Sequence, residues 1–131
     1  MQTDRTVTEP AAPRYVFVLE PHAYTRAYLV RLLIEADYEV ADFDSLSELL
    51  SRLAERRPDG IVADASPPEA LGLKLLSVTA AGDRPPVVLI AYDPDLTDAV
   101  HAMRAGAADY AEKPLPGSVL LFKLRRAMDA P

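Results

Sequence analysis

Short apolar runs alternate along the chain with stretches in which apolar residues recur at helical spacing. Tyr15 to Leu19 is five apolar residues in succession, as expected of a strand covered on both faces in a parallel sheet. Ala23 to Ala36 follows, with Tyr28, Leu29, Leu32, Leu33 and Ala36 at helical spacing and Arg26, Arg31 and Glu35 elsewhere around it, which predicts an amphipathic helix. Tyr38 to Phe43 predicts a second strand. Ser45 with Glu48 three residues on, ahead of Leu46, Leu49, Leu50 and Leu53, is a capping-box pattern that starts a second helix.

Pro58, Asp59 and Gly60 break the chain before Ile61, Val62 and Ala63, a buried strand ending at Asp64. A third helical stretch covers 70–81 and stops at Gly82, and a fourth strand covers 86–90. Leu96, Ala99, Val100 and Met103 mark one face of a fourth helix, closed by Gly106 at the usual C-terminal glycine position. Asp109 to Ala111 is a brief fifth strand, after which Pro116 opens a last helix running to Met128. Five strand-helix pairs in tandem predict an α/β fold, a doubly wound parallel sheet, because right-handed crossovers place helices on both faces. Function in such sheets gathers at the carboxyl ends of the strands.

On a wheel of about 100° per residue, Leu120, Leu121, Leu124, Ala127 and Met128 form the stripe of the last helix that faces the sheet. Val119 and Phe122 fall off that stripe, flanked by Lys123 and Arg126. Apolar residues rimmed by charge tend to mark contacts, so this face is a candidate partner surface.

The 131 residues suit one domain. Residues 1–13 hold almost no bulky apolar side chain, so they are expected to form a flexible arm ahead of a folded domain at 14–131. Lys and Arg number 14 against 20 Asp and Glu, for a net charge of -6. That balance opposes attraction to phosphate backbones and anionic membranes, so neither nucleic acid nor membrane is an expected partner. No cysteine is present, which removes thiol chemistry and fits a reducing compartment. With no signal peptide or membrane-length apolar run, a cytoplasmic location is expected.

The strand ends present Glu20, Asp64, Ala91 and Lys113. A carboxylate beside an ammonium and a second acid is the equipment for accepting a phosphoryl group: the Asp attacks, a divalent cation neutralises the incoming oxygens, and Lys steadies the charge. Strand ends in α/β proteins are polar anyway, so spacing alone argues this only weakly. Other chemistries lack support. His22 and His101 lie on different elements, and no glycine-rich loop follows the first strand. Glu20-Pro21-His22-Ala23 is not the Ser/Thr-rich phosphate loop of a flavodoxin-type site, and no Ser, His and Asp arrangement suggests a hydrolase. An enzyme is not expected.

From Arg14 to Ala127 the chain resembles a response-regulator receiver domain of two-component signalling. Pro58-Asp59-Gly60-Ile61-Val62-Ala63-Asp64 with Pro68 and Gly72 is similar to the family's phosphoacceptor segment, and Ala105 to Pro114, ending in Lys113-Pro114, resembles its second signature. The resemblance implies a flavodoxin-like sheet of order 2-1-3-4-5, Asp64 as phosphoacceptor, Lys113 as its basic partner and Tyr110 as the aromatic switch residue. It also implies a cis Lys113-Pro114 bond and a Mg²⁺ site made by Glu20, Asp64 and the Ser66 backbone. A histidine kinase or phosphotransfer protein is the implied partner, with possible homodimerisation through the fourth helix, fifth strand and fifth helix.

Two departures change that picture. The family's pair of acids after the first strand reads Glu20-Pro21 here, and proline supplies no carboxylate. A unit charge at 4 Å is worth roughly 4 kcal/mol gross at an effective dielectric of 20, so Mg²⁺ binding is expected to be weak or absent. Ala91 stands where the family keeps a Thr or Ser, removing a switch hydroxyl worth roughly 1.5 to 3 kcal/mol toward a charged group. Tyr92 follows it, large where the family prefers a small residue. The expectation is a stand-alone receiver with altered metal binding and switching. The alternative is a pseudo-receiver that docks proteins independently of phosphorylation.

Overall fold

The computed structural model describes residues 12–130. The expected arm at 1–13 lies outside them except for its last two residues. The elements alternate as β1 (Tyr15–Leu19), α1 (Ala23–Glu35), β2 (Glu39–Phe43), α2 (Leu46–Glu55), β3 (Gly60–Asp64), α3 (Leu71–Val78), β4 (Val87–Tyr92), α4 (Leu96–Arg104), β5 (Asp109–Lys113) and α5 (Gly117–Asp129). All strand pairings are parallel, in the order β2-β1-β3-β4-β5. The central strands β1 and β3 are buried along their whole length, whereas the edge strand β2 is half exposed. That difference explains why the interior strands read as continuous apolar runs.

Alternation along each strand sends side chains to two separate cores. Phe17, Leu19, Ile61 and Leu89 pack under α2, α3 and α4 with Leu49, Leu75 and Ala102, while Val16, Val18, Val62, Val88 and Ile90 pack under α1 and α5 with Leu29, Leu33, Leu120 and Leu124. The inward stripe of α5 is therefore as the helical wheel places it, and Val119 and Phe122 are exposed.

Several boundaries move. β5 continues to Lys113 and β4 to Tyr92, because the ladder extends through Ala91 opposite Glu112 and Tyr92 opposite Lys113. α3 is shorter than 70–81, since Ala70 adopts a left-handed conformation (φ 47°) and Thr79 is extended. Helix α4 differs most. Leu96, Val100 and Met103 look outward, and the helix packs through Ala102 instead. Small alanine side chains let it lie close to the sheet, which leaves the larger apolar residues on the far side. Two glycines matter to the site's surroundings. A side chain at Gly72 would collide with Leu89 and come within 3.1 Å of the Asp64 carbonyl, and Gly106 (φ 102°) ends α4. Among the described residues no helix is long and apolar enough to cross a membrane.

Candidate functional site

The register of the sheet sets the ends of β1, β3 and β5 around one point. Glu20 follows β1, Asp64 closes β3 and Lys113 closes β5. Their side chains are 0%, 2% and 4% exposed, so three ionisable groups share a buried pocket. Lys113 Nζ lies 2.7 Å from Glu20 Oε1 and 2.8 Å from Asp64 Oδ1. One ammonium thus serves two carboxyl groups. Burial is the largest single influence on Lys113 and works to lower its pKa. The hydrogen bonds to Asp64 and Glu20, with their charges, prevail and hold it above the ordinary value.

The remaining donors and acceptors are also engaged. Glu20 Oε2 accepts the His22 N–H at 3.2 Å, with the His22 ring at 3.3 Å. Ser66 donates its hydroxyl to Asp64 Oδ1 at 2.7 Å and accepts the Tyr92 N–H at 3.0 Å. The Ser66 carbonyl, the expected backbone ligand, already accepts the Ala70 N–H at 2.9 Å. Asp64 Oδ2 makes no hydrogen bond to a described residue. Arg26 donates to the Glu20 carbonyl at 2.9 Å and pairs with Asp42 at 3.2 Å, so a guanidinium sits against the backbone beside Pro21.

Glu20, Asp64, Ser66 and Lys113 therefore come together as one cluster. Ala91 lies beneath it, 1% exposed in the core. Tyr110 is partly buried against the same core, and its phenol pKa is raised by burial and then by the charges of Asp98, Asp95 and Asp64. The Lys113-Pro114 peptide is cis, as is Pro67-Pro68. The candidate partner face stands apart from this pocket. Val119 is 38% and Phe122 54% exposed, while the Lys123 ammonium is taken up by Asp109 at 3.2 Å rather than facing outward alone. Arg126 lies beside Phe122 in a surface hollow with Arg125 and Asp129.

Three participants are not legible in the sequence pattern. Arg26 has the spacing of a solvent-facing helical residue. Ser66 enters the expected metal site through its backbone only. The Tyr92 ring lies 4.6 Å from Lys113 Nζ, a cation-π contact, and only the size of Tyr92 next to Ala91 hints at it.

A parallel five-stranded sheet of this order, with two acids and a lysine at its carboxyl edge, defines a receiver fold. Residues 16–125 match the response regulator receiver domain, and the chain belongs to that family. It is 34% identical over 119 residues to the C4-dicarboxylate transport transcriptional regulatory protein DctD of Pseudomonas aeruginosa, covering 90% of this chain and 26% of that protein. It is 30% identical over 113 residues to the transcriptional regulatory protein AfsQ1 of Streptomyces coelicolor, covering 86% and 50%. The chain thus spans between a quarter and a half of these relatives. Among solved structures, FixJ-N superposes with a TM-score of 0.80 at 26% identity, covering 90% of this chain and 95% of that one. The domain is a response-regulator receiver of two-component signalling, a class that works with histidine kinases or phosphotransfer proteins.

Proposed function

We propose that Asp64 accepts a phosphoryl group from the phosphohistidine of a histidine kinase or phosphotransfer protein, in a cytoplasmic phosphorelay. The observation that carries this reading is the asymmetry of the Asp64 carboxylate. Oδ1 is held by Lys113 and Ser66, and Oδ2 is left without a protein partner among the described residues. In the transfer, Oδ2 forms the O–P bond as the P–N bond to the donor imidazole breaks, and the imidazole leaves with the bonding pair and takes up a proton. Lys113 offsets charge on the phosphoryl oxygens. The acceptor is stoichiometric, so the domain is not itself an enzyme.

The donor set does not fit Mg²⁺ as it stands. Magnesium asks for near-octahedral oxygen ligands. Here Pro21 contributes no carboxylate, Lys113 and His22 occupy Glu20, and Ala70 uses the Ser66 carbonyl. No group of three or more His, Asp or Glu among the described residues is placed to hold a metal. Our reading is therefore weak or absent Mg²⁺ binding, with Lys113 supplying the positive charge. Switching through Ala91 and Tyr110 is altered on a separate ground: the methyl of Ala91 cannot bond a phosphoryl oxygen.

Phosphoramidate, a small P–N donor, tests this directly. Intact mass should show one added phosphoryl group in the protein and none in Asp64→Asn, with little gain from low-millimolar Mg²⁺. A strict requirement for Mg²⁺ would overturn the metal part. No phosphoryl group under any condition would overturn the acceptor part and leave the second reading, a docking module independent of phosphorylation, which Pro21 and Ala91 favour.

The docking surface proposed is the face of α4, β5 and α5, where Val119 and Phe122 are exposed beside Lys123 and Arg126. It takes a second copy or a partner with acidic groups opposite those cations; with a net charge of -6, nucleic acid is not the proposed occupant. Changing Val119 to Ser and Phe122 to Gln should abolish association in sedimentation while leaving thermal stability nearly unchanged. Unchanged association would place the contact elsewhere.

A further inference from the structure

Ser66 lies two residues beyond Asp64 and is 8% exposed. Its oxygen is the middle of a short chain: it donates to Asp64 Oδ1 at 2.7 Å and accepts the backbone N–H of Tyr92 at 3.0 Å. Tyr92 is the last residue of β4 and leads into the loop before α4, where Asp93 adopts a left-handed conformation, φ 46°. The neighbouring Ala91 side chain is a buried methyl and offers no polar atom. One hydroxyl therefore joins the carboxylate to the loop backbone. We infer that Ser66 is a positioning residue that carries the chemical state of Asp64 to the loop between β4 and α4, through the hydrogen bond its hydroxyl makes to the Tyr92 N–H.

The physical basis is the strength of the acceptor. A carboxylate draws a short, charge-assisted bond from the Ser66 hydroxyl, and that polarisation makes the same oxygen a better acceptor for the Tyr92 N–H. Turning Asp64 into an acyl phosphate leaves Oδ1 a neutral carbonyl oxygen and moves the negative charge onto the phosphoryl oxygens. The Ser66 hydroxyl then turns toward the new charge, and its lone pair turns away from Tyr92. The same residue is tied to the pocket a second time, by its ring over Lys113. A shift of the Tyr92 backbone therefore alters both ties together. The biological meaning of this coupling rests on the phosphoacceptor reading of Asp64, but the coupling itself is a property of the three residues.

The test reads the Tyr92 amide by NMR in the whole protein, in Asp64→Asn, in Ser66→Ala, in the double variant, and in Ser66→Thr with and without Asp64→Asn. Loss of the hydroxyl acceptor should speed solvent exchange of the Tyr92 amide about tenfold. That change alone would fit a purely structural role, so the deciding measurement is the coupling. Asp64→Asn should shift the Tyr92 resonance when Ser66 is present, shift it roughly threefold less in the Ser66→Ala background, and shift it fully again in the Ser66→Thr background. An equal shift with and without the hydroxyl overturns the inference. Treatment with phosphoramidate separates this failure from that of the acceptor reading. If Asp64 becomes phosphorylated and Tyr92 responds equally in Ser66→Ala, the coupling fails and the acceptor stands. If no phosphoryl group appears, the acceptor reading fails and the Asp64→Asn cycle still decides the coupling.

Discussion

The two ends of the sheet use the same residue types under opposite conditions. At the carboxyl end, Glu20, Asp64 and Lys113 are buried together, two acids on one base. At the amino end, Arg56 forms a two-pronged pair with Glu39 at 2.7 and 2.9 Å, Arg14 pairs with Asp129, and Asp59 accepts the Tyr15 N–H at 2.7 Å. The side chains of the two ion pairs are about half exposed. Water screens the outer pairs, so each is worth little. The inner trio is shielded from water, so both acids depend on the one base, and removal of Lys113 strands them together. The proposed acceptor carboxylate lies at the buried end; the exposed end fastens β1, β2 and the last helix together.

Lys113→Met is the change that separates the two ends most sharply. It leaves two uncompensated carboxylates in one pocket, and a loss of about 3 to 5 kcal/mol is expected, a large share of the roughly 5 to 15 kcal/mol that holds a domain folded. Urea unfolding measures it. A loss below about 1 kcal/mol, the scale of an exposed pair, would mean that the inner trio is solvated after all.

Removing an acid should cost less than removing the base. Asp64→Asn leaves Lys113 paired with Glu20 in a neutral couple and keeps an oxygen that accepts from Ser66, so a loss of about 1.5 kcal/mol or less is expected in the same experiment. Equal losses for Lys113→Met and Asp64→Asn would show that the trio does not share its single positive charge.

How much of this contrast is legible in the sequence depends on the kind of contact. Glu20, Asp64 and Lys113 are legible because a strand's end is a fixed place in a parallel sheet, and the resemblance supplies their order. Ser66 is not, because the direction of a loop hydroxyl is set by neighbours that arrive from β4. Arg26 is hidden for a related reason: helical spacing points it to solvent, yet its long side chain reaches back to the Glu20 carbonyl. Periodicity finds the apolar face of α4 at Leu96, Val100 and Met103 but not its direction, since the helix buries the alanine at 102 and leaves those three exposed. The capping box of that helix, Asp95 with Asp98, is readable in principle from the spacing of the two acids.

At the amino end, Asp59 tests how much an acid outside the buried trio contributes when its partner is a backbone N–H. Asp59→Ala frees the Tyr15 N–H, and a loss of about 1 kcal/mol is expected, the typical net contribution of one hydrogen bond. A loss matching that of Asp64→Asn would erase the difference between the two ends.

The smallest effect is expected at Glu39 and Arg56, and it is best seen as pH dependence. The hydrogen bond from Arg56 holds the Glu39 carboxyl below its ordinary pKa, so the folded chain binds that proton less readily than the unfolded chain does. The stabilisation is therefore complete above the unfolded value of about 4.3 and disappears as the pH falls through the lower folded value. Carbon NMR of the Glu39 carboxyl should give a midpoint below the ordinary one in the protein and a return toward it in Arg56→Gln. Added salt should shrink the difference, because both groups face water. The Arg56 guanidinium also lies 3.8 Å from the centre of the Tyr15 ring, so Arg56→Gln removes a packing contact that Glu39→Gln leaves in place. If stability falls more for Arg56→Gln than for Glu39→Gln at neutral pH, the ring contact outweighs the ion pair; if the two variants match and the Glu39 midpoint does not move, the exposed pair contributes nothing to holding the amino end.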